Sequence, residues 1–143
     1  MKLKKIISIT FLSIMALLLL STTAMAQVAN KYYQAYSYSG KGNEMKWVIK
    51  GTDTKVSTKA TNPTSYSRYV QAAVVKKNRF NGVEISSKID ENTGKQMYAS
   101  ASMKRVLSDS NIIYSHQAVL KPYASSGYTI DSKKIDVYQL PSN

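Results

Sequence analysis

Between Val83 and Met103 the chain reads VEISSKIDENTGKQMYASASM, two alternating runs on either side of a glycine-bearing turn. In the first run Val83, Ile85, Ser87 and Ile89 fall on one side, and Glu84, Ser86, Lys88 and Asp90 on the other. In the second, Met97, Ala99, Ala101 and Met103 oppose Tyr98, Ser100 and Ser102. A period of two is the spacing of a half-buried strand, because successive side chains leave a pleated strand on opposite faces. Gly94 can adopt the left-handed backbone that closes the intervening Asp90–Lys95 loop. The pattern predicts a β-hairpin with one apolar and one wet face. A lone hairpin is marginally stable, so the apolar face requires a second sheet.

The same signal recurs along the chain. From Val28 to Ser39, Tyr32, Gln34, Tyr36 and Tyr38 alternate with Tyr33, Ala35 and Ser37. Gly40–Asn43 is a turn, and Glu44–Lys50 follows with Met45, Trp47 and Ile49 on one face. The single tryptophan therefore reads as a core anchor. Thr54–Thr61 is polar and lysine-bearing, the character of a protected edge strand. Tyr66–Lys77 is the longest strand candidate and apolar on both faces in its second half, which predicts a central position. After an Asn-Gly turn at Asn78–Gly82 and the hairpin, Lys104–Asn111 is a loop or one short helical turn. Asn111–Lys121 is a further strand, and Tyr128–Asp131 with Ile135–Leu140 reads as a closing hairpin around Ser132–Lys134. Seven or eight short strands without a helix predict an all-β chain, an antiparallel β-sandwich or a small barrel.

The N-terminus has a different logic. Lys2, Lys4 and Lys5 precede an apolar run from Ile6 to Leu20, and Ala24-Met25-Ala26 has the small-x-small form of a cleavage site. The expectation is a signal peptide at 1–26, export from a bacterial cell, and a single domain at 27–143. No cysteine occurs, which excludes a disulfide framework, thiol catalysis and thiolate metal sites. The whole chain carries a formal charge of +12; removing residues 1–26 takes three lysines and leaves about +9 on 117 residues. Arg68, Arg79 and Arg105 are the only arginines, so this charge is nearly all lysine. Such a surface attracts polyanions without the guanidinium forks that read nucleic-acid sequence.

Chemistry is hard to place on these residues. His116 is the only histidine and lies inside an alternating strand, the setting of a structural side chain. No G-x-S-x-G elbow, phosphate loop or dinucleotide fingerprint is present. One histidine and scattered carboxylates do not form a zinc site, and Asp90-Glu91-Asn92 lacks the spacing of a calcium loop. The expectation is no catalytic residue, no metal and no cofactor. What stands out is tyrosine beside lysine: 11 tyrosines against 2 phenylalanines. A buried tyrosine hydroxyl needs a partner, so a chain selected for packing alone would use more phenylalanine. Tyr32, Tyr36, Tyr38, Tyr66, Arg68 and Tyr98 are the candidate ligand-binding residues, with Tyr69 and Tyr123 behind them. Rings among cations can stack on sugars and hold charged polymers.

The leading functional expectation is a secreted, non-enzymatic protein, free or wall-associated, that binds an anionic polymer, glycan or membrane surface of a cell envelope. A second comes from Ala72-Ala73-Val74-Val75, Asn92-Thr93-Gly94-Lys95 and Tyr98-Ala99-Ser100-Ala101. Over roughly 65–117 these pieces are similar to the lactococcin-type β-sandwich bacteriocins, which are secreted, cysteine-free and rich in Tyr, Ser and Lys. The chain lacks the Gly-Trp-rich start and additional histidines of that group. The resemblance implies an antimicrobial protein acting at a target cell surface. A small secreted enzyme is the third possibility.

Overall fold

A computed structural model describes residues 31–38 and 44–138. The expected signal peptide with its cleavage site, the turn at 40–43 and the tail at 141–143 lie outside these residues. The described residues form eight strands and no helix: β1 (Tyr32–Tyr38), β2 (Met45–Gly51), β3 (Lys55–Thr61), β4 (Arg68–Asn78), β5 (Glu84–Gly94), β6 (Tyr98–Lys104), β7 (Ile112–Lys121) and β8 (Asp131–Tyr138). All neighbouring strands are antiparallel. Sheet I has the order β1-β2-β3-β6 and sheet II the order β5-β4-β7-β8. Their inner faces share one core in a sandwich-like arrangement.

Strand alternation dictates what enters that core. Met45, Trp47, Ile49, Val56, Ala60, Ala99 and Ala101 come from sheet I, and Val70, Ala72, Val74, Tyr114, Ala118, Leu120 and Val137 from sheet II. Trp47 is buried as expected, and its indole N–H donates to Thr58 Oγ1 at 2.6 Å. Small residues on β3 and β6 leave room for that large ring. As expected, β4 is the joint-longest strand and lies between β5 and β7.

The stretch from Val83 to Met103 behaves differently from its sequence pattern. β5 pairs with β4 in sheet II and β6 with β3 in sheet I, so the two arms cross between sheets instead of pairing. The turn is Lys95–Met97, and its left-handed residue is Gln96 (φ 54°), while Gly94 has φ 148°. The arms also differ in burial: Ala99 and Ala101 enter the core, whereas Val83, Ile85 and Ile89 face solvent. The inward side of β5 is its polar one, and it guards the free edge of β6. Ser100 N–H donates to Asp90 Oδ2 at 2.5 Å, and Asn92 Nδ2 donates to the Tyr98 carbonyl at 3.4 Å.

Two further expectations are corrected. β3 lies inside sheet I, between β2 and β6, because those side-chain bonds make β6 a protected edge and leave β3 a partner on both sides. The closing hairpin is a single strand: Ser132, Lys133 and Lys134 sit within β8, paired with Val119, Ala118 and Gln117 of β7.

Asn62 holds the crossovers together. It is fully buried at the end of β3, and its Nδ2 donates to the carbonyls of Tyr66 (2.8 Å) and Gly94 (3.0 Å). Its Oδ1 accepts from Thr64 N–H (3.0 Å) and Thr64 Oγ1 (2.6 Å), and its own N–H reaches the Met97 carbonyl at 2.8 Å. Every hydrogen-bonding capacity of the amide side chain is used. One residue thus ties the β3–β4 link to the β5–β6 link.

Candidate functional site

The outer face of sheet I carries the molecule's clearest chemical bias. On β2 the outward residues are Lys46, Val48 and Lys50; on β3 Lys55, Ser57, Lys59 and Thr61; on β6 Tyr98, Ser100, Ser102 and Lys104. β1 adds Tyr33, Ala35 and Ser37. The register makes the five lysines contiguous. Lys55 stands directly opposite Lys104. Lys50 faces Ser57, which makes it diagonal to both Lys55 and Lys59, and Lys46 faces Thr61, which makes it diagonal to Lys59. Diagonal neighbours lie about 7–8 Å apart and direct ones closer. All five lysines are exposed.

No strand residue of sheet I is Asp or Glu. Acidic side chains stand instead on β5 (Glu84, Asp90, Glu91), on β8 (Asp131, Asp136) and in the connections (Glu44, Asp53, Asp109). Like charges placed directly across a sheet destabilise it, so the Lys55–Lys104 pair is a cost to the fold that no Asp or Glu on the strands of this sheet offsets. Between the lysines lie mostly small Ser, Thr and Ala side chains, which leave the sheet surface open to a flat or extended ligand. Exposed rings flank it. Tyr98 lies beside Lys59, whose Nζ is 4.1 Å from the ring centroid, and Tyr33 stands on β1 opposite Lys50.

Next to Tyr33 and Lys50 an open depression of ≈ 620 Å³ is also lined by Lys31, Thr52, Asp53 and Thr54. Lys31 Nζ and Asp53 Oδ2 are 2.8 Å apart at its rim. Its floor includes Gly51, where a Cβ would lie 2.1 Å from Tyr32 Cε1; the glycine lets the tyrosine ring lie against the backbone. Beneath it, Tyr32 and His116 Nε2 share a 2.6 Å hydrogen bond, and the Arg105 guanidinium lies 5.5 Å from the Tyr32 ring centroid. Burial pushes the Tyr32 hydroxyl far up, and burial followed by the nearby Arg105 cation brings His116 down to about 4. His116 is therefore neutral and structural, packed edge-on against Tyr32.

The candidate residues separate into two groups. Tyr32, Tyr36 and Tyr38 form the core-facing stripe of β1. Tyr32 is 8 % exposed, while Tyr36 and Tyr38 are half-buried and stack on one another, with Tyr36 also stacking on Trp47. Tyr66 and Tyr98 are exposed, each beside a cation: Arg68 lies 5.2 Å from the Tyr66 ring and Lys59 beside Tyr98. Asn62 ties these two tyrosines' segments to the same end of the molecule. Tyr69 is buried and bonded to Glu91, whereas Tyr123 is exposed. The sequence candidates omitted Tyr33 and the five sheet I lysines. The signal lies in the alternation of Lys46/Lys50 and Lys55/Lys59, which on a single strand matches edge protection as well as a binding face. Comparison with protein-family models and with curated protein sequences found no match to this chain.

Proposed function

We propose that this protein is a secreted, non-enzymatic β-sandwich that holds an anionic polymer of the cell envelope on the outer face of sheet I. The observation that carries this reading is the contiguous set Lys46, Lys50, Lys55, Lys59 and Lys104 on a sheet whose strands contain no carboxylate. Random placement of solubilising charge mixes signs, as sheet II does. A one-sign face attracts a polyanion through the summed field and, on contact, releases its counterions. The lysines supply point charges along the chain, the intervening hydroxyls offer hydrogen bonds, and Tyr98 and Tyr33 give rings on which a sugar face can stack.

The test is co-sedimentation of residues 27–143, which contain every described strand, with isolated bacterial cell walls over a salt series. Intact walls are compared with walls stripped of anionic polymer. Binding should weaken steeply with salt, fall on stripped walls, and drop by at least tenfold in the double variant Lys50→Glu, Lys59→Glu. Binding that is indifferent to salt and to that substitution refutes the lysine face as the attachment surface.

A further inference from the structure

β5 is the strand whose side chains fit its position least. All its residues are exposed or half-exposed. Ile85 and Ile89 are 51 % and 59 % exposed, and nearby Val83 and Phe80 are 58 % and 80 % exposed. β5 pairs with β4 alone, so its other edge presents a row of backbone groups without a strand partner. The edge at β6 is guarded, because Asp90 and Asn92 bond its backbone. A long edge strand with solvent-facing isoleucines is a template for another strand.

We propose that β5 is the interface for a second copy of this chain, added antiparallel across a two-fold axis at Ile89. The charges of β5 select that register. Ile89 is the midpoint of the regular stretch Ser86–Asn92, so that whole stretch pairs with its mate when Ile89 faces Ile89. Lys88 then faces Asp90 of the mate and Asp90 faces Lys88, while Ser87 faces Glu91 and Ser86 faces Asn92. No like charges meet. Shifting the axis to Lys88 or to Asp90 sets that charge against itself, and shifting it to Ser87 sets Glu84 against Asp90. Only the Ile89 register combines full overlap with two reciprocal ion pairs, which is the self-complementarity an isologous interface demands. The irregularity of β5 opposite Lys76 and Lys77 lies at one end and leaves Ser86–Asn92 regular.

The axis runs perpendicular to sheet II, so both copies keep the same face up. The two lysine faces therefore lie side by side, ten strand lysines on one surface. This consequence, unlike the pairing, rests on the polyanion reading: two linked faces bind a long polymer or wall with avidity.

The experiment uses single cysteines, since the chain has none of its own. Paired residues in an antiparallel ladder have Cα atoms about 4.5–5.5 Å apart, within disulfide reach. Ile89→Cys is exposed and should give a covalent dimer under mild oxidation. Ser87→Cys alone should not, its two copies being about 13 Å apart, but mixed with Glu91→Cys it should cross-link. Sedimentation equilibrium of the unmodified protein should show the mass rising from one chain to two with concentration, and Lys88→Asp should hold it at one. Thermal melting confirms that each variant folds. A monomer at every concentration with no Ile89→Cys cross-link overturns the proposal, as does a dimer that survives Lys88→Asp or cross-links equally well through Ser87→Cys. A dimer that forms as described but does not sediment with walls overturns the polyanion reading and leaves the interface standing.

Discussion

Acid should destabilise this protein through one residue, His116. The side chain is fully buried, bonded to Tyr32 through Nε2, and near Arg105. Its Nδ1 has no hydrogen-bond partner among the described residues. Burial, then the Arg105 cation, lowers its pKa from 6.5 to about 4. Unfolding releases it to its ordinary value. Above pH 6.5 neither state binds this proton and the histidine contributes no pH dependence. As the pH falls from 6.5 towards 4 the unfolded chain takes up a proton that the folded chain refuses, so stability declines. Below about 4 both states are protonated and the decline from this group ends. At ~1.4 kcal/mol for each unit between the two values, the total is about 3 kcal/mol, a large part of the ~5–15 kcal/mol a domain has. Urea unfolding followed by Trp47 fluorescence, with His116→Gln as the reference, isolates the effect. Glutamine can keep a bond to Tyr32 but cannot titrate, so the variant should be less stable at pH 7 and its deficit should shrink by about 3 kcal/mol by pH 4. Parallel stability curves for the two proteins across this range would falsify the reading of His116 as a buried neutral side chain.

Other substitutions test the fold and its edges. Asn62→Ala removes the amide that serves both crossovers, leaving the Gly94 and Tyr66 carbonyls short of a donor. About 3 kcal/mol should be lost, read as a lower urea midpoint with an unchanged slope. Trp47→Phe leaves Thr58 Oγ1 without its indole donor inside the core, and should cost about 2–4 kcal/mol by the same assay. Gly51→Ala forces the Tyr32 ring off the backbone and away from His116, which should lower the melting temperature by about 5 °C or more.

Most of the strands were legible because alternation is a local property. Met45-Trp47-Ile49 on β2, and Ile112-Tyr114-His116-Ala118-Leu120 on β7, fall on the inner face as their spacing requires. What alternation does not encode is which strand lies beside which. A glycine-bearing turn between two alternating runs fits a hairpin and a sheet-to-sheet crossover equally well. At 94–97 the choice is made by bonds from Asn62 and Thr64, more than thirty residues upstream. Nor does it say which face is inner when the two differ little. On β5 the isoleucine face looked like the core side, but Asp90 and Asn92 are needed inward to bond the edge of β6, and parity then sends Ile89 out.

The same dependence on strand order hid the candidate site. Lys46 and Lys50 on one strand, or Lys55 and Lys59 on another, are unremarkable separately, since solvent-facing lysine is the commonest way to keep a strand soluble. Set at the edge of a sheet, Lys55 and Lys59 would protect it. Once β3 lies between β2 and β6, there is no edge for them to protect, and they face two further lysine-bearing strands. Edge protection then cannot account for them, and the fold bears the repulsion of Lys55 against Lys104 with no Asp or Glu on the strands of that sheet. A charge arrangement that works against the stability of its own sheet is most simply explained by something outside the molecule that it meets. That reasoning has a direct check: replacing Lys104 with Glu should stabilise the protein by up to about 1 kcal/mol in the absence of ligand, and weaken its sedimentation with intact cell walls. A variant that lost stability, or bound walls as well as the parent, would remove the reason for reading this face as a binding surface.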